Sequence, residues 1–167
     1  MNLYVLRHAI AVERGTRGYK DDSKRPLTDT GARKMRRIAE GMLVLDLSFD
    51  VILSSPFIRA KQTAKIVAES LNAERRLKFT PHLEVGGNPE KLINGINERY
   101  GSDSGLMLVG HEPYLSSLIS MLIAGREDFS VTMKKGGLCK LRVSKLCYGQ
   151  CASLEWLLTP NQLTLLR

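Results

Sequence analysis

Cysteine is scarce in this 167-residue chain, with Cys139, Cys147 and Cys151 the only three. An odd count at that density excludes a disulfide framework and points to a reducing cytoplasm. None of the three has an arginine six positions later, so the thiolate loop of the tyrosine phosphatases is missing. Cys147 and Cys151 lack the tight pair spacing of a zinc knuckle and read as ordinary apolar fillers. Aromatic residues make up only 6% of the chain, and they are not interleaved with the basic stretches as base-stacking platforms would be. No run approaches ~18 uninterrupted apolar residues, which excludes a membrane-spanning helix. The N-terminus has no basic leader and is broken by Arg7, so it does not read as a signal peptide. Neither G-x-x-x-x-G-K-[ST] nor G-x-G-x-x-G occurs. His8, His82 and His111 show no metal-ligand spacing. No repeat, low-complexity tract or Pro/Gly/Ser-rich linker divides the chain, so a single domain over 1–167 is expected.

What is present is a globular composition, 43% hydrophobic and 25% charged, with a net charge of +8. Such a charge fits polyanions, phosphates or acidic protein surfaces, and composition alone does not choose among them. The excess is concentrated. Residues 14–37 hold nine Lys/Arg against three Asp/Glu, and residues 133–145 hold five Lys/Arg and no acid.

Three short runs, Leu3–Leu6, Val51–Leu53 and Leu106–Val109, are apolar throughout, which suits strands buried on both faces of a parallel sheet. A helical pattern follows each. Thr28 or Asp29 can cap the first helix, with Met35, Ile38, Ala39, Met42 and Leu43 on one face and Arg33, Lys34, Arg36 and Arg37 on the other. Ala60, Ala64, Val67, Ala68 and Leu71 form the second stripe, and Leu115, Leu118, Ile119 and Leu122 the third. A further helix is predicted between Pro89 and Tyr100. Cys139, Leu141 and Val143 alternate with Lys140, Arg142 and Ser144, a half-exposed antiparallel pattern that Ser153–Leu158 would pair with, before a short helix opened by Pro160. The predicted fold is α/β, a mostly parallel mixed sheet with helices on both faces and the later strands at its edge.

In open α/β sheets, ligands sit beyond the carboxyl ends of the strands. The three strand-to-helix junctions carry Arg7-His8, Ser54-Ser55-Pro56-Phe57-Ile58-Arg59 and Gly110-His111-Glu112-Pro113. Taken singly, a His at a strand end is most often a structural polar residue, and an Arg in a first helical turn is usually solvated. Jointly, two histidines and two arginines converge on one rim, where guanidiniums repel unless an anion lies between them. Helix starts add free N–H groups for a phosphate. A neutral imidazole can act as nucleophile, and two Arg with a second His would stabilise the equatorial oxygens of a phosphoryl transition state. The pattern points to phosphoryl transfer through a phosphohistidine, with no metal or cofactor required. His82 stays outside the pattern as a loop residue.

Six segments then share one likeness: Leu-Arg-His-Ala at the start, Arg-Pro-Leu-Thr at Arg25–Thr28, Ser-Ser-Pro-Phe-Ile-Arg-Ala-Lys-Gln-Thr at Ser54–Thr63, Val-Gly-His-Glu-Pro at Val109–Pro113, Lys-Lys-Gly at Lys134–Gly136, and Leu-Leu-Thr-Pro near the end. The chain resembles the histidine phosphatase superfamily, and within it the short SixA-type phosphohistidine phosphatase branch, nearly end to end. The resemblance implies a three-layer phosphoglycerate-mutase-like fold. It makes His8 the phosphorylated nucleophile and Arg7, Arg59 and His111 the rest of the phosphate pocket, with Arg25 a further candidate for substrate binding. It implies a partner that is a phosphorylated protein such as a histidine phosphotransfer domain, rather than nucleic acid or membrane. Many superfamily members carry a carboxylate acid in the segment corresponding to Leu83-Glu84, so Glu84 is the candidate acid, with a solvated loop residue as the alternative. Where the superfamily commonly has Arg-His-Gly this chain has Arg-His-Ala, which requires ordinary φ at Ala9. Imidazole is a far better leaving group than an alkoxide, so a pocket without a strong acid favours P–N over alkyl P–O bonds. The alternatives are a small-molecule phosphomonoesterase and, from another class, a non-catalytic module binding phosphate or nucleic acid. Membrane-surface binding through the Arg33–Arg37 helix is disfavoured, because its apolar face has core-like spacing and no Trp or Phe.

Overall fold

The computed structural model describes residues 1–47, 49–101 and 104–166. In chain order the elements are β1 (Asn2–Arg7), α1 (Asp29–Val44), β2 (Val51–Ser54), α2 (Ile58–Ser70), β3 (Leu77–Phe79), α3 (Pro89–Arg99), β4 (Gly105–Gly110), α4 (Tyr114–Ala124), β5 (Leu138–Val143), β6 (Ala152–Leu158) and α5 (Pro160–Leu165). Short 3-10 turns occupy Asp22–Lys24, Glu74–Arg76 and Pro81–Leu83.

The strands form one sheet in the order β3-β2-β4-β1-β5-β6. Pairings from β3 to β1 are parallel, and β5 and β6 are antiparallel. Because successive side chains in a strand point to opposite faces, each apolar run feeds two cores at once. Tyr4, Leu6, Ile52, Met107 and Val109 pack on one face under α1, α2 and α5. Leu3, Val5, Val51, Leu53, Leu106 and Leu108 pack on the other under α3 and α4. The result is three layers, as the continuous apolar runs require.

The predicted strands and helices are all present, each strand one or two residues longer than its apolar run. Thr28 is the cap of α1, accepting the Gly31 N–H. Leu43 departs from its predicted face: it is 55% exposed. The buried stripe ends at Met42, and the next residue lies ~100° further round the helix, off the sheet. Cys147 also departs from its reading as an apolar filler, being exposed in the loop joining β5 to β6, whereas Cys151 in the same loop is half-buried and packs against the second core, and Cys139 is buried. β3 has no sequence counterpart, because three residues carry no period.

Gly31 decides how closely α1 approaches the loop that leaves β1. A Cβ there would stand 2.0 Å from the Ile10 carbonyl oxygen, so only glycine admits the contact. That loop is tied back by Thr28 N–H to Ile10 O (3.0 Å) and Val12 N–H to Pro26 O (2.9 Å). Ala9 keeps ordinary φ, as its side chain requires; among the described non-glycine residues only Asp46 and Asn72 have positive φ.

Candidate active site

β1 and β4 are neighbours in register, with Arg7 opposite Gly110. The ladder runs one step further, His8 N–H donating to the Gly110 carbonyl (3.0 Å), which brings His8 and His111 to the same edge. β2 lies on the other side of β4, and Ser55 N–H donates to the Val109 carbonyl (2.9 Å). Arg59 then rises in the first turn of α2. The His8 and His111 rings lie 5.0 Å apart between centroids, and Arg59 Nε stands 3.2 Å from His8 Nε2. Three junctions far apart in sequence thus deliver their side chains to one point.

His8 is held as a neutral imidazole of one tautomer. Its Nδ1 lies 2.7 Å from the Ala9 carbonyl oxygen, which can only accept, so Nδ1 carries the proton. Nε2 is left with a lone pair, on which Arg59 Nε–H is directed. Burial pushes the His8 pKa down to about 3, against the Ala9 hydrogen bond, and the charges of Arg59, Arg7 and Lys135 push it the same way. His111 is likewise taken to about 3, first by burial and then by His8 and Arg59. Its Nε2 pairs with Ser55 Oγ (2.9 Å), and the Phe57 ring lies 5.1 Å away, with the Arg59 guanidinium stacked 5.2 Å above that ring. His111 Nδ1 and Arg7 Nε are buried without a hydrogen-bond partner. An orphaned buried polar group costs ~1–3 kcal/mol unless a ligand satisfies it.

Asp22 is the residue that sequence reasoning missed. Arg59 is 2% exposed, and its Nη2 donates to Asp22 Oδ2 (2.9 Å) and its Nη1 to the Asp22 carbonyl (2.6 Å). Nε and Nη2 are the parallel N–H pair of one guanidinium fork, so Asp22 Oδ2 and His8 Nε2 stand side by side on it. Arg25 and Arg14 close on the same carboxylate at 2.8 and 3.2 Å. Partial burial works to raise the Asp22 pKa, and is outweighed by Arg25, Arg59 and Arg14, which take it to about 2. The only signal in the sequence was that Asp21 and Asp22 interrupt an otherwise basic stretch.

Arg25 therefore reaches the site through Asp22: its Nη1 donates to Val12 O (2.5 Å) and the rest of its fork is on the carboxylate. Glu84 directly follows Leu83, whose carbonyl lies 3.4 Å from where a Cβ on Gly110 would stand. The backbone leading into Glu84 thus passes the end of β4, and Glu84 is half-buried and without an ion pair among the described residues. His82 belongs to the 3-10 turn before it. Among the described residues no three His, Cys, Asp or Glu side chains group closely enough to hold a metal.

The model of the histidine phosphatase superfamily (branch 1) matches residues 3–84. The chain is 30% identical over 129 residues to the phosphohistidine phosphatase SixA of Escherichia coli (strain K12), covering 75% of this chain and 76% of that one. It is 34% identical over 149 residues to an uncharacterised protein of Picosynechococcus sp., covering 85% of each. Among solved structures, the protein histidine phosphatase SixA complexed with tungstate superposes with a TM-score of 0.79 at 23% identity, over 98% of this chain and 99% of that one.

Proposed function

The chain belongs to the histidine phosphatase superfamily, on its SixA-type branch, it has the phosphoglycerate-mutase-like fold, and its chemistry is that of a phosphatase; from that premise we propose that His8 is the phosphorylated nucleophile of a phosphohistidine phosphatase. The observation that carries the reading is the state of His8. A neutral imidazole, proton fixed on Nδ1 by Ala9, has its Nε2 lone pair turned to Arg59 with the His111 ring alongside, in the field of the Arg7 charge.

In this reading the Arg59 Nε–H turns from His8 Nε2 to a phosphoryl oxygen, and the freed Nε2 lone pair attacks phosphorus in line. The new P–N bond forms as the substrate's bond to nitrogen breaks, and the electron pair leaves on the departing imidazole. Protonation of that imidazole on its far nitrogen lets it depart neutral. Water then attacks the phosphoryl group, transferring it to oxygen and restoring the Nε2 lone pair. Arg59 and Arg7 hold the phosphoryl oxygens, and the orphaned Arg7 Nε and His111 Nδ1 gain the partner they lack. His111 donates from Nδ1 when the Ser55 hydroxyl donates to Nε2, which makes Ser55 a positioning residue for the donor proton.

Two features favour a phosphohistidine as the substrate. The relative of E. coli carries that activity in its name. The carboxylate on Arg59, that of Asp22, is ionised down to about pH 2, so it offers no proton to an alkoxide. Glu84 is the remaining candidate acid. The test is incubation with a labelled phosphohistidine donor, which should give an acid-labile phosphoenzyme. His8→Ala should abolish label and turnover together, and turnover that survives it refutes the assignment.

A further inference from the structure

A second feature lies beside Arg7, where the Lys-Lys-Gly segment meets the site. Lys134 O accepts the Gly137 N–H (2.7 Å), closing a four-residue turn with Gly136 at φ +80°. A turn of that form needs glycine at its third position and puts Lys135 at the corner. The turn is fastened to the strand carrying the nucleophile: Gly136 N–H donates to Arg7 O (3.0 Å), and Arg7 N–H to Gly137 O (3.2 Å). Lys134 and Lys135 are thus exposed cations on a fixed support. With Arg7, Lys34 of α1 and Asn161 of α5 they line a cleft of about 540 Å³. None of the three lysines makes an ion pair among the described residues; Lys34 Nζ pairs only with Asn161 Oδ1 (3.2 Å). The charge of Lys135 reaches His8, so the cleft and the nucleophile share one electrostatic field.

We infer that this cleft is a second subsite, which takes the carboxylates of an acidic segment flanking the phosphorylated residue on a partner protein. The inference rests on His8 being the phosphoryl acceptor and adds where the rest of the substrate lies. Lysine is a point charge on a flexible stem, suited to scattered carboxylates, whereas the planar forks that grip a phosphate are kept for the His8 pocket. Nucleic acid fits less well, because among the described residues no aromatic side chain lines the cleft as a stacking surface. Arg7 belongs to both sites, so an acidic segment there lies next to the phosphoryl group on His8.

The test compares a phosphohistidine peptide flanked by Asp and Glu with the same peptide flanked by Asn and Gln, and with phosphoramidate as a small substrate. In the Lys34→Gln/Lys134→Gln variant, kcat/KM for the acidic peptide should fall about tenfold, through KM, as expected for the loss of two exposed ion pairs. Turnover of the neutral peptide and of phosphoramidate should stay unchanged. Lys134→Glu should shift preference toward a Lys-flanked peptide. Equal losses on acidic and neutral peptides, or no wild-type preference between them, overturn the subsite. Calorimetric binding of the unphosphorylated acidic peptide decides the cleft even if no phosphatase activity is found: wild-type binding lost in the double variant supports it, and equal binding by both overturns it. A single-stranded oligonucleotide that binds more tightly than the peptide through the same lysines also overturns it, in favour of nucleic acid.

Discussion

On one flank of His8 three guanidiniums close on the carboxylate of Asp22; on the other, the half-buried Lys34 and the exposed Lys134 and Lys135 line a cleft with no carboxylate paired to them among the described residues. Both flanks are basic in the sequence, and their physics differs. Burying Arg59 removes it from water, a cost that a paired carboxylate must offset. The outcome is a positioned fork shared between Asp22 and His8. The lysines keep their hydration and lose little by waiting, so their charge stays available to a partner, screened by salt. The lesson is that net charge of +8 describes neither flank.

The largest effect comes from cutting into the paired flank. Arg59→Ala should lower kcat by about 10²–10³-fold, the range found for losing one transition-state donor. It should also release the Asp22 carboxyl upward from about 2, readable by carbon NMR; an Asp22 that titrates unchanged would mean that Arg14 and Arg25 alone hold it.

The pH dependence of stability comes next, and of the lysine flank only Lys135 feeds into it, as a minor contributor to the lowered pKa of His8. His8 and His111 are depressed to about 3 in the folded chain, so the unfolded chain binds more protons anywhere between about 3 and 6.5. Their contribution is complete above about pH 6.5 and lost as pH falls, by about 3 kcal/mol for the two between pH 6.5 and 5. Asp22 adds a further loss from about pH 4 toward 2, its folded pKa also being depressed. Urea unfolding from pH 7.5 to 5 should show the first loss and a His8→Gln/His111→Gln variant should not; a flat wild-type curve would contradict neutral buried imidazoles.

Asp22→Asn is a smaller change with an informative sign. Leaving Arg59 without its counter-charge should cost about 2 kcal/mol, toward the lower end for a pair still partly exposed, and lower the Tm by ~4–8 °C. Because carboxylate and phosphoryl oxygens compete for one fork, inorganic phosphate should inhibit the variant at about tenfold lower concentration. Weaker inhibition would show that Asp22 only positions Arg59. The smallest effect is expected at Glu84. Glu84→Gln should change phosphohistidine turnover by less than about twofold, since the leaving imidazole needs no strong acid. Equal rates on phosphohistidine and phosphoserine peptides, both lost in this variant, would remove the preference for P–N bonds.

Much of this was legible from pattern. Leu3–Leu6, Val51–Leu53 and Leu106–Val109 announced buried parallel strands because residues facing both cores must all be apolar. Once those strands were known, the placement of Arg7, His8, Arg59 and His111 at one edge followed from their standing at the carboxyl ends of strands β1, β2 and β4. β3 was illegible because three residues show no period, and Leu43 was misread because a stripe does not say where the helix runs off its sheet. Cys147 was misread because composition does not distinguish a loop from a core.

The sequence by itself determined the elements, the sheet's two buried faces and the side chains delivered to the rim, since these depend on periodicity and on the order of strand and helix. Only the tertiary structure decided what those side chains are. Nothing local in the chain says that Asp22 meets Arg59 across 37 positions, that Ala9 fixes the His8 proton, or that Gly136 and Gly137 of the Lys134 turn are fastened to Arg7. Protonation and pairing depend on burial and on distances of a few ångströms, and those exist only once the chain has closed on itself.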